Sequence, residues 1–111
     1  MVGYPERARA YLHTNCSGCH RPGTSLPSAM DLRYDTPLAN TNACNADPVT
    51  GSSLGIPGAK LIAPGAAGSS LIPQRMARRD ANQMPPLGSL QPDTAGVNLI
   101  NAWINSLSSC N

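Results

Sequence analysis

Residues 15–20 read NCSGCH, two cysteines three positions apart with a histidine directly after the second. Three chemistries use such a group: a structural metal site, a thiol–disulfide cycle, and covalent attachment of a haem. Each needs different company elsewhere in the chain, so the remaining residues choose between them.

A zinc site takes four ligands, usually from paired clusters. Cys16, Cys19 and His20 supply three at most, and no second C-x-x-C follows, so Cys44 or Cys110 would have to complete the set. An adjacent cysteine and histidine also rarely face one ion comfortably. A thioredoxin-like dithiol lies between a strand and a helix, whereas the residues before Cys16 read as helix with no strand in evidence. The haem reading meets neither difficulty. The pattern C-x-x-C-H is a signature of c-type haem attachment. Spacing of three on a helix puts Cys16 and Cys19 on one side, suited to the two vinyl groups of one porphyrin edge. His20, one turn beyond Cys16, is then placed to ligate the iron.

Composition agrees with a chain that folds around something. Leu, Ile, Val and Phe together make up about 17% of the 111 residues, with no Phe at all, beside 11 Pro and 10 Gly. So thin a core signals disorder when net charge is also high, but here it is +2. A large apolar cofactor would supply the missing core, and two haem propionates would bring the charge close to zero. At this length the expectation is one domain spanning 1–111. No basic stripe points to nucleic acid, and no apolar stretch approaches the ~20 residues of a membrane span. No signal peptide precedes the domain, so an exported form would be a mature or trimmed one. Cys44 and Cys110 lie outside the motif and read as a disulfide, which implies an oxidising compartment.

Two helices are predicted at the ends. In PERARAYLHTNC, Pro5 and Glu6 suit a first turn, and Ala8, Tyr11 and Leu12 share an apolar face. In PDTAGVNLINAWINSL, Val97, Ile100, Ile104 and Leu107 form a stripe that Leu99 and Trp103 widen, with Asp93 as the cap. A third, short helix is predicted within SSLIPQRMARRD, with Ser69 or Ser70 near its start and Pro73 in its first turn. Residues 21–70 show no sustained period and read as loop, a length that suits a segment wrapped round a ligand.

A low-spin haem needs a second axial ligand. His13 shares the first helix with the motif and reads as an ordinary exposed polar residue. Of four methionines, Met1 is terminal, Met30 is close to His20 in a loop, and Met76 falls on the short helix, where core packing is the ordinary role. Met84, in NQMPPLG, stands where two prolines stiffen the chain, so its thioether can face the iron without relying on a helix. The expected site is therefore Cys16, Cys19, His20 and Met84, with His20 and Met84 on the metal.

This combination resembles the class I cytochromes c, single-haem proteins ligated by His and Met. Their order of parts is an N-terminal helix entering C-x-x-C-H, a distal methionine loop and a last helix crossing the first. LINAWINSL is similar to that last helix, with Trp103 in the usual aromatic position. The middle, including MDLRYDTPLANTNACN and LGIPGAKLIAPGAAGSSLIPQRM, is similar to cytochrome modules attached to bacterial quinoprotein-type dehydrogenases. The resemblance implies an all-α cytochrome c fold and a proline carbonyl (Pro22 or Pro27) accepting from the proximal imidazole. It further implies one haem c and periplasmic electron transfer rather than enzymatic catalysis. Transient partners would be a dehydrogenase as donor and an oxidase or second cytochrome as acceptor, the domain standing alone or within a larger chain. Arg33, Arg75, Arg78 and Arg79 are candidates for the propionates. The alternative from the same residues is a gas sensor in which Met84 is displaced.

Overall fold

The computed structural model describes residues 3–24, 29–49, 53–80, 83–84 and 92–110. Among these the chain is all-α: helix α1 spans Tyr4–Cys16, α2 Leu71–Met76 and α3 Thr94–Ser106. Short 3-10 turns cover Leu38–Asn40 and Ala67–Ser69, and only two isolated bridges, Cys44 to Ile62 and Lys60 to Ser70, pair extended backbone.

α1 starts with proline in its first turn and Glu6 near its positive end, as its sequence requires. It buries Ala8 and Leu12 completely, with Tyr11 packed beside them. α3 opens on Asp93, whose carboxylate accepts from Gly96 N–H at 3.0 Å, and buries Ile100, Trp103 and Ile104. The two helices pack against each other. The closest approach is at Gly96, where a Cβ would lie 2.4 Å from Cζ and Oη of Tyr11, while the Tyr11 hydroxyl donates to Asp93 at 3.0 Å. Burial and that hydrogen bond push the Tyr11 phenol up to about 12.

Gly96→Ala should therefore destabilise the fold. Overpacking costs about 1–3 kcal/mol, against about 1 kcal/mol gained from helix propensity. A lowered urea midpoint would show this, and a raised one would mean that the ring moves aside freely.

α2 is shorter than its sequence suggests. It begins after Ser70 and holds Pro73, buried, in its first turn, where a missing N–H removes no bond. It stops at Met76 because the Arg75 carbonyl turns to other donors: Arg78 N–H at 3.3 Å and, from across a loop, Met84 N–H at 3.1 Å. The Ser70 hydroxyl caps nothing in α2. It accepts from Ala63 N–H at 2.8 Å and donates to the Ala66 carbonyl at 2.9 Å, pinning the preceding loop.

Among its described residues, the long middle region pairs part of its backbone with itself. Asn45 N–H reaches Ile62 O at 2.7 Å, Leu61 N–H reaches Ala46 O at 2.8 Å, and Leu71 N–H reaches Lys60 O at 2.9 Å. Its end is fastened to α3, since Gly65 N–H takes the Ile104 carbonyl at 2.9 Å and Ala67 N–H takes Asn105 Oδ1 at 3.0 Å. The expected disulfide is present: Cys44 in this region joins Cys110 in the tail beyond α3, 66 positions apart.

Candidate cofactor site

The motif lies where α1 ends. Cys16 is the last helical residue, so Cys19 is not on the helix itself. Helix formation fails here because the Ser17 hydroxyl competes for the His13 carbonyl at 2.6 Å and Gly18 favours the coil. The turn nonetheless stays nearly helical. Cys19 N–H and His20 N–H both donate to the Cys16 carbonyl, at 3.2 and 2.8 Å, which gathers the three residues on one short arc.

The four cysteines are sorted into two classes. Cys44 and Cys110 are joined, while Cys16, half-buried, and Cys19, exposed, remain free thiols. This removes both sulfurs that a zinc site would have needed as its fourth ligand, and no group of three or more His, Cys, Asp or Glu converges among the described residues. A dithiol redox centre fits no better. Burial, with Cys19 alongside, pushes the Cys16 thiol up to about 11, the reverse of the lowered value that makes a reactive thiolate.

His20 is half-buried, and burial lowers its pKa, favouring the neutral imidazole that can ligate a metal. Its Nδ1 is buried without a hydrogen-bond partner. Of the two prolines expected to accept from this ring, Pro22 gives Nδ1 no bond among the described residues, and Pro27 lies outside them.

Met84 is half-buried and is held by α2, through its amide, rather than by α1. The prolines after it lie outside the described residues. Met76, 6% exposed, and Met30, 8% exposed, belong to the core cluster, as packing residues do. His13 is exposed, and its Nδ1 accepts from Tyr34 N–H at 3.0 Å.

Of the four arginines expected near the propionates, Arg33, Arg78 and Arg79 make side-chain contacts within the chain. Arg33 grips Asp31 with two nitrogens, at 2.9 and 2.8 Å, and Arg78 pairs with Asp80 at 3.2 Å. Arg79 donates through Nη1 to the Met76 carbonyl at 3.2 Å and to that of Arg78, leaving its Nε buried and unpartnered. Arg9 also keeps a buried, unpartnered Nε. Sequence reasoning missed it, because a polar residue on the outer face of an amphipathic helix carries no signal of a distant partner.

Two free thiols, a half-buried imidazole and a half-buried thioether are the donor types that a covalently attached haem takes. Comparison with protein-family models, curated proteins and solved structures gives no match.

Proposed function

We propose that this chain is a single-haem c-type electron carrier with the cytochrome c fold. The observation that carries the reading is the sorting of the cysteines: the pair outside the motif forms a disulfide, while both motif thiols stay free beside the half-buried imidazole of His20. Cys16 and Cys19 would hold the haem covalently, with His20 and Met84 on its iron. The bound group would supply a one-electron ferric–ferrous couple.

The chain's own residues supply the rest. The neutral imidazole of His20 and the thioether of Met84 would hold the iron without leaving it open to a substrate, as an electron carrier requires. The thioether favours the ferrous state over what a second histidine would give. Arg79, whose Nε has no partner among the described residues, would be the candidate for a propionate. Gly18 and Cys19, both exposed, would put small groups beside the attachment edge, where a partner could approach closely. The partners would be a dehydrogenase as donor and an oxidase or second cytochrome as acceptor, meeting the chain over a small transient interface. A disulfide favours an oxidising compartment, the periplasm for a bacterial chain. Among the described residues no helix is long and apolar enough to cross a membrane.

The test is the intact mass of protein made with haem-attachment machinery. One haem should stay attached after denaturation and be lost in Cys16→Ser/Cys19→Ser. A haem-sized adduct that persists in the double variant would refute the attachment.

A further inference from the structure

We propose that Arg9 and His13 form a latch on α1 that fixes the backbone of residues 31–36 and, through it, the seat of His20. Arg9 is then a positioning residue for the axial histidine, a role that rests on the haem reading above. The two side chains are four residues apart and share one face of α1. Arg9 Nη2 donates to the Arg33 carbonyl at 2.8 Å and also to the Thr36 carbonyl, so one nitrogen gathers both ends of a turn. Between those ends, Tyr34 N–H donates to His13 Nδ1 at 3.0 Å.

The turn is closed from its other side by Asp31, 6% exposed, which accepts from both Arg33 nitrogens and from Thr36 Oγ1 at 2.9 Å. Directly before it, Leu32 N–H donates to the His20 carbonyl at 2.9 Å. The other backbone bond of His20, from its N–H to Cys16 O, is local to the motif, and the residues that follow, 21–24, are exposed. Leu32 therefore ties His20 to a segment distant in sequence, and Arg9 with His13 ties that segment back to α1. A planar guanidinium suits this task, since its donors are fixed in a fork.

The experiment compares Arg9→Met, Arg9→Lys and His13→Ala with wild type in the haem-loaded protein, reading amide exchange, reduction potential and the far-red absorption band. Arg9→Met keeps the aliphatic stem and removes the donors. Exchange at Leu32 and Tyr34 should speed up about tenfold or more, while Ile100 and Ile104 in α3 stay protected, and the potential and band should shift. Arg9→Lys, which can still donate, should restore part of each change. His13→Ala, at an exposed side chain, tests the latch even if Arg9→Met does not fold; it should speed exchange at Tyr34.

Unchanged exchange in the folded variants overturns the latch. Faster exchange with an unmoved potential and band overturns the positioning role. If wild type takes up no haem, the functional reading fails separately. Exchange rates and the NMR signals of the His20 ring in the haem-free chain then decide the latch by the same pattern.

Discussion

Met84→Ala in the haem-loaded protein should convert a low-spin spectrum to a high-spin or water-ligated one and lower the reduction potential, because the iron loses its thioether. The backbone there should hold, since the Met84 amide, not its side chain, is fastened to Arg75. Met76→Ala is the contrasting case. Met76 is 6% exposed within the core cluster, so its truncation should cost about 2–5 kcal/mol of stability and leave the spectrum low-spin. The opposite pattern would move the ligand to Met76. Carbon monoxide separates a carrier from a sensor: the wild type should resist it at neutral pH, whereas a protein built to exchange Met84 would bind it readily.

Removing the disulfide should lower stability strongly. Cys44 and Cys110 close a separation of 66 residues, for which chain-entropy loss in the unfolded state amounts to about 4 kcal/mol. The bond also ties the tail beyond α3 to the segment that pairs with Ile62. Cys44→Ser/Cys110→Ser should lower the denaturant midpoint accordingly, and reductant should then no longer affect stability. A midpoint equal to wild type would mean that the tail is held by other contacts.

How far the sequence could be read depended on whether a signal was local. Pro5 and Glu6 at one helix start and Asp93 at another act within one turn, and both terminal helices fall where those residues place them. Met76 as a core residue and Cys44–Cys110 as a leftover pair were equally legible. The misses share a different origin. α2 ends early because Arg75 O accepts an amide nine residues on, and no periodicity records that. The middle region is ordered by single bridges, which leave no alternating pattern. Gly96 shows only a propensity cost until the Tyr11 ring is seen lying on it. Arg9 acts on carbonyls 24 and 27 residues away. The motif itself was legible, but which proline faces the His20 ring was not, and among the described residues Nδ1 has no partner.

The most direct test of the central claim is the absorption spectrum of the wild-type protein, oxidised and reduced, after expression with haem-attachment machinery. The account predicts sharp low-spin bands on reduction and, in the ferric state, the weak far-red band of an iron–thioether bond. A colourless protein under those conditions would contradict it and return Cys16, Cys19 and His20 to the metal and redox readings.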